Sequence, residues 1–410
     1  MSAFLLVLLL AAAVKDGPTP LRTGCSPDSP TVASLPAGAP VTIRYSISGE
    51  HEACYKVSVE VNGKALEGSL PASAIRETED FDQARSKAVW LDTPLVISAI
   101  RSGSALPQGN LPRASGASLG IAKQAAELIS SSRPQRALEI LEPELRTHRD
   151  PTLLALAGVA AWRSDDSRQA VEYLRASLSI APSADVEKLL HQVEREATGD
   201  QSGDRLYGLR VLLRYESSAV PIDTARQMTA VLDQEFSRIS QALGCTAEER
   251  VIAIVQSRDA YRKSTDAAEW SAGQFNGKIR VPVFDPRVVD PGMLRSLAHE
   301  TTHACLTMLG HWPAWLQEGV AQKLSGDALS AAQRKRIADL IKQGQLPRLS
   351  NLRQDWSRLD ADHAREAYAL SLAAVELLWQ ESGDEGVRSL LRNPEKLAQV
   401  TAELDRKLGL

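Results

Sequence analysis

The 410 residues predict a multidomain protein: a small β-barrel, an α-helical repeat block, and an α+β domain that occupies the rest of the chain. Three observations carry that expectation. Apolar residues alternate with a period of two in Val41, Ile43 and Tyr45 and again in Tyr55, Val57, Val59 and Val61, as in half-buried strands. Two helical stretches then align at Ala137 and Ala170, 33 residues apart. From residue 201 onward strands come first and helices follow, which is the α+β order.

Composition sets the outer bounds. With 43% hydrophobic and 24% charged residues the chain is globular and long enough for several cores. A net charge of −4 gives no electrostatic reason to expect nucleic acid or an anionic membrane as partner.

Residues 1–16, "MSAFLLVLLLAAAVKD", hold an apolar run that is too short to span a bilayer. The run fits the hydrophobic region of a secretory signal, with Ala11 and Ala13 as small residues at a cleavage site. No Lys or Arg precedes it, and the alternative is a buried N-terminal strand. Export implies an extracytoplasmic protein (periplasmic, cell-envelope or secreted) with no transmembrane helix in the mature chain. The four cysteines agree with an oxidising compartment. Cys25 and Cys54 form one candidate pair. Cys245 and Cys305 form a second, or are two buried thiols.

Residues 17–76 read as short strands, with Asn62-Gly63 as a hairpin turn. The order "LR", "LPAGAPV", a central hairpin and "EGSLPASAI" resembles the bacterial SH3-like domain over about residues 20–76. That resemblance implies a small β-barrel that binds a cell-wall or protein ligand and has no chemistry of its own. Residues 77–116 end in a Gly/Pro/Ser-rich linker. In 117–200, "RPQRALEILEPELRTHRDP" and "DSRQAVEYLRASLSIAPS" resemble tetratricopeptide repeats, too few to stand alone. A plain helical spacer and a peptide-binding groove both remain open for this block.

The domain at 201–410 opens with a strand in "DRLYGLRVLLRYE", a helix from "DTARQM", a strand "RVIAIVQ" and a loop to "GQFNGKIRVPVF". Asp290-Pro291 then starts a helix, with Asp as N-cap and Pro in the first position, and Gly310 stops it. At about 100° per residue, His299 and His303 lie about 40° apart and project side by side. Leu294, Leu297, Ala298, Ala304, Cys305 and Met308 fall on the opposite arc, which removes Cys305 from any ligand set. Two such imidazoles can share one Zn²⁺ with a third protein ligand and an open fourth position. Glu318, in "PAWLQEGVAQ", is the next acidic residue after Glu300; a second helix folding back would present it, with Gly319 allowing close packing. Glu300 lies beside the metal axis, where it suits a general base that takes a proton from metal-activated water.

"SLAHETTHACL" followed by "PAWLQEGVAQ" resembles the gluzincin zinc metallopeptidases, in particular the bacterial peptidase MA-like domains, over about residues 205–380. The resemblance implies a zincin-type fold holding one zinc ion, with His299, His303 and Glu318 as ligands and Glu300 as the catalytic group in peptide-bond hydrolysis. It implies a substrate-aligning edge strand at "GKIRVPV", where Pro282 suits an edge because it cannot donate to a ladder. Arg280 on that strand is a candidate contact to substrate. Tyr368 is the candidate donor to the tetrahedral oxyanion, although it also belongs to an apolar stripe with Leu372, Val375 and Trp379. In some members an Asp one turn past the third ligand orients a histidine; Gln322 stands there, and its amide can bond an imidazole N–H. His311 and His363 are read as surface residues. The rival expectation is a zinc-holding scaffold of the cell envelope with weak or no turnover, acting through its SH3-like and repeat modules.

Overall fold

The computed structural model describes residues 12–24, 28–48, 53–61, 63–76, 118–199, 203–265, 273–283, 285, 287–352 and 361–410. They form a small N-terminal β unit, a helical block and a C-terminal α+β unit. The expected linker at 77–116 and Cys25 lie outside the described residues. Among those described, no helix is long and apolar enough to cross a membrane.

The β unit comprises β1 (Ala13–Val14), β2 (Thr19–Arg22), β3 (Thr31–Leu35), β4 (Thr42–Ser48), β5 (Ala53–Val61), β6 (Lys64–Pro71) and β7 (Ile75–Arg76). An antiparallel sheet runs in the order β3-β2-β6-β5-β4, and β1 pairs with β7. Alternation turns Tyr55, Val57 and Val59 inward onto Leu21, Leu35 and Leu70. The expected alternation in β4 is interrupted. Its register shifts between Ile43 and Tyr45, so Tyr45 opposes Lys56 instead of continuing the row in which Ile43 faces Val57. Gly63 takes φ 74° where Val61 and Lys64 close the β5–β6 hairpin. Ala12, Ala13 and Val14, assigned by sequence to the export segment, are buried here, and the Val14 N–H donates to Ala39 O.

Five helices follow: α1 (Ser118–Ser130), α2 (Pro134–Thr147), α3 (Pro151–Arg163), α4 (Ser167–Ile180) and α5 (Ala184–Gly199). Asp150 caps α3 by accepting from the Thr152 and Leu153 N–H groups, and Asp166 caps α4 through Gln169 N–H. From Thr152 to Arg163 α3 is buried on every side, so the other helices pack around it. Gly158 permits the closest crossing: a Cβ there would fall 2.6 Å from Leu174 Cγ. Ala137 and Ala170, the two aligned small residues, are fully buried.

The C-terminal unit holds β8 (Gly203–Tyr207), β9 (Val211–Glu216), α6 (Ile222–Leu243), β10 (Val251–Ser257), α7 (Arg258–Thr265), β11 (Gln274–Phe275) and β12 (Ile279–Val283). It continues with α8 (Pro291–Leu309), α9 (Ala314–Ser325), α10 (Ala331–Lys342), α11 (Ala361–Arg392, broken at Gly383) and α12 (Leu397–Leu408). Its sheet runs β11-β12-β10-β9-β8, with β10 parallel to both neighbours and the two outer strands antiparallel.

Two expectations are corrected in this sheet. The single strand read in "DRLYGLRVLLRYE" is a β8–β9 hairpin, because the Gly208 N–H bonds Val211 O and reverses the chain. The "GKIRVPV" strand is not an outermost strand: β11 covers Ile279 and Arg280, and β12 lies between β11 and β10. Pro282 lacks an N–H, and it sits beyond the two positions that β11 pairs.

Candidate metal centre

Local chemistry fixes α8 where the sequence placed it. Asp290 Oδ1 accepts from Met293 N–H at 2.9 Å, Pro291 occupies the first position, and the chain leaves the helix at Gly310. Leu297, Ala298, Ala304 and Cys305 are buried on the core side, as periodicity required. Leu294, assigned to the same arc, is 38% exposed, although Met293 beside it is buried in the core. Cys305 is bonded to Cys245, just after the Gly244 stop of α6, which ties the back of α8 to that helix.

The chain turns through Pro313 into α9, which buries Trp315, Leu316 and Val320. Gly319 lets α9 press against α11: a Cβ there would fall 2.4 Å from Ser371 O and 2.6 Å from Val375 Cγ2. That close contact turns Glu318 back toward α8. Three groups able to hold a metal ion converge as a result. His299 Nε2 and His303 Nε2 are 3.1 Å apart, and Glu318 Oε2 lies 3.4 Å from the first and 3.7 Å from the second. Glu318 Oε2 is buried without a hydrogen-bond donor among the described residues. Its approach to His299 is electrostatic, at a separation longer than a normal hydrogen bond.

Electrostatics divide the four groups. Burial works against charge on His299, yet pairing with Glu318 and the charges of Glu300 and Asp327 lift it to about 9. Burial takes His303 the other way, down to about 4, with the Glu318 charge opposing and the His299 charge assisting. Burial alone would raise Glu318, but the charges of His303 and His299 hold it below the ordinary carboxylate value. Glu300, only 8% exposed, is pushed up by burial to about 7, against the pull of His299 and with a further push from Glu318. Its carboxyl meets the backbone at Gly273, where a Cβ would fall 2.8 Å from Oε1.

The remaining expected residues divide. Gln322 bonds no imidazole: its Nε2 donates to Glu318 O and, at 3.0 Å, to Tyr368 O, so the amide joins α9 to α11. Arg280 is not placed to meet substrate, being fully buried and 2.6 Å from Glu196. Tyr368 is half-buried on α11, while Leu372 and Val375 from its stripe enter the core. His311 and His363 are exposed. Asp327, which no motif marked, acts on His299 from just beyond the Gly326 stop of α9 and is itself pushed up by burial. No family model matches the chain, and no curated protein matches its sequence.

Proposed function

We propose that the protein is an exported, zinc-dependent metallopeptidase of the gluzincin type, with His299, His303 and Glu318 as ligands of one zinc ion. The observation that carries this reading is the convergence of three ligand atoms beside a buried carboxyl that is not one of them. Zinc fits the donor set. Four ligands at 2.0–2.1 Å in a tetrahedron stand about 3.3 Å apart, and the separations here are 3.1, 3.4 and 3.7 Å. Both imidazoles present Nε2 inward, and the buried Glu318 Oε2, which accepts no hydrogen bond among the described residues, is free to bind the ion.

When bound, the ion polarises a substrate carbonyl and acidifies water at its open position. The chain's own residues do the rest. Glu300 takes a proton from the attacking water and returns it to the leaving amine as the C–N bond breaks. Burial holds the Glu300 carboxyl above the ordinary carboxylate value in the metal-free protein, as suits a group that both takes and returns a proton. Tyr368 is the proposed donor to the developing oxyanion. In this reading the β unit is an SH3-like module and the helical block a tetratricopeptide-like one, positioning the enzyme or its substrate at the cell envelope.

The test is zinc per chain together with cleavage of an internally quenched peptide mixture, in wild type and Glu300→Gln. Zinc in both with cleavage in wild type alone supports the peptidase. Zinc in both with cleavage in neither supports the scaffold.

A further inference from the structure

The β11–β12 hairpin has two chemically distinct faces. Gln274 pairs with Arg280 and Phe275 with Ile279, so polar and apolar side chains sort to opposite sides. On a sheet face turned to solvent, the polar side would be hydrated. Here Gln274, Asn276, Lys278 and Arg280 are all buried, and the last three meet the helical block.

One carboxylate from that block meets the row. Glu196 on α5 accepts from Arg280 Nη2 at 2.6 Å and from Asn276 Nδ2 at 3.3 Å, and Lys278 Nζ lies 3.3 Å away. Trp162 Nε1 donates to the same carboxylate at 2.5 Å, and the Lys278 ammonium stands 5.3 Å from the Trp162 ring centre. The Glu196, Lys278 and Arg280 side chains have no exposed surface. At its other end the hairpin is preceded by Gly273, which abuts the Glu300 carboxyl. One short piece of chain therefore links α5 to the group that the functional reading makes the proton carrier.

We propose that Glu196 is a positioning residue for Glu300: through residues 273–283 the helical block holds the backbone wall against which the Glu300 carboxyl sits. The geometric claim stands on the contacts above; its consequence for turnover rests on the peptidase reading. Neutralising Glu196 removes the carboxylate through which α5 holds Lys278 and Arg280, and so loosens the grip of the helical block on the hairpin. Gly273 moves with it, since β11 is only two residues long. The candidate metal ligands are anchored separately, through Leu297, Cys305 and Gly319.

The experiment uses the full-length, zinc-loaded protein as wild type, Glu196→Gln and the milder Asn276→Ala. Three quantities are read: carbodiimide labelling of Glu300 by mass spectrometry, hydrogen exchange of the peptide covering 273–283, and zinc per chain. The expected result is a severalfold rise in Glu300 labelling with faster hairpin exchange, larger in Glu196→Gln than in Asn276→Ala, at unchanged zinc. With a quenched peptide as probe, kcat falls and KM holds. Unchanged Glu300 labelling in the variants that fold overturns the proposal. So does a rise accompanied by zinc loss and faster exchange throughout the chain, which marks general unfolding. If Glu300→Gln cleaves as fast as wild type, the peptidase reading fails, while the labelling comparison still decides the role of Glu196.

Discussion

Glu196 and Glu318 are both carboxylates removed largely from water, and they end in opposite arrangements. Around Glu196 the protein supplies its own cations, Lys278 and Arg280, with Trp162, Gln192 and Asn276 as further donors. Around Glu318 it supplies two imidazoles whose nitrogens crowd to 3.1 Å, and no donor at hydrogen-bonding distance from Oε2. Burial demands a positive partner in both places. Where the chain provides one, the result is a structural lock between units. Where it provides two imidazoles and, among the described residues, no donor within normal hydrogen-bonding reach of Oε2, the result is a candidate site for an external cation.

The comparison breaks most decisively at the carboxylates themselves. Glu318→Ala removes one of three candidate ligands and is expected to weaken zinc binding by about a hundredfold or more. Glu196→Ala is expected to leave zinc per chain unchanged while costing about 3–5 kcal/mol of stability, because it removes one partner of a buried ion pair. Zinc titration and urea unfolding of the two variants separate the roles. Loss of zinc from both would mean the sites are not independent.

Glu300→Gln comes next, with cleavage expected to fall about 10²–10⁴-fold at unchanged zinc. The same substitution has a stability signature in metal-free protein. Glu300 is raised from 4.5 to about 7, so its contribution is fully present below pH 4.5 and is lost as pH rises through 7. Gln carries no charge to bury. The variant should therefore exceed wild type by about 3 kcal/mol at pH 8 and match it below pH 4.5, in urea unfolding with a chelator present.

Reduction sharpens the comparison from the side. The Cys245–Cys305 bridge closes 60 residues and is worth about 4 kcal/mol by loop entropy. Its reduction should lower the unfolding midpoint of the C-terminal unit, and zinc should be retained at temperatures where α8 stays folded. A smaller effect tests the charge state of the candidate metal cluster. His299 is lifted to about 9 in the metal-free protein and must lose its proton to bind a metal, so zinc binding at pH 7.5 should release about one proton. A pH-indicator dye in weakly buffered solution measures it.

The helical junction carries a third charged contact, of ordinary size. Glu249 accepts from the Gln135 and Arg136 N–H groups and so caps α2 from the neighbouring unit. Glu249→Gln should cost about 1 kcal/mol. Asp165, in the α3–α4 turn, likewise holds Arg214 of β9 at 2.9 Å. These contacts give the helical block a firm seat on the sheet.

Much of the candidate metal cluster was legible in the linear chain, for a local reason. His299, Glu300 and His303 lie within five residues of one helix, and helical periodicity fixes their directions before any tertiary contact forms. The N-cap at Asp290 and the stop at Gly310 bracket that helix with short-range signals. Gly319 was legible as a point of close approach, though not which helix would approach. Gln322 was misread because its partners, Glu318 O and Tyr368 O, include a backbone atom 46 residues away. Asp327 had no signal at all, since its relation to His299 exists only once α8 and α9 are packed.

The hairpin is the clearest failure of local reading. The edge strand at "GKIRVPV" came from the family resemblance, and nothing local in the segment shows what covers its polar residues. Its polar residues are nevertheless fully enclosed. Glu196 sits in "HQVEREATG", a stretch like any solvated helix face. Nothing in either segment announces the other.

By itself the sequence determined what depends on neighbours a few positions away: the strands of the β unit, the helices and their caps, and the pairing of His299 with His303 on one face. Tertiary structure alone decided which long-range partners meet: Cys245 with Cys305, Glu318 with the histidines, Glu196 with Lys278 and Arg280. The physical reason is that periodicity and capping are short-range constraints on backbone angles. The fate of a buried charge is set by whatever distant segment packing brings against it.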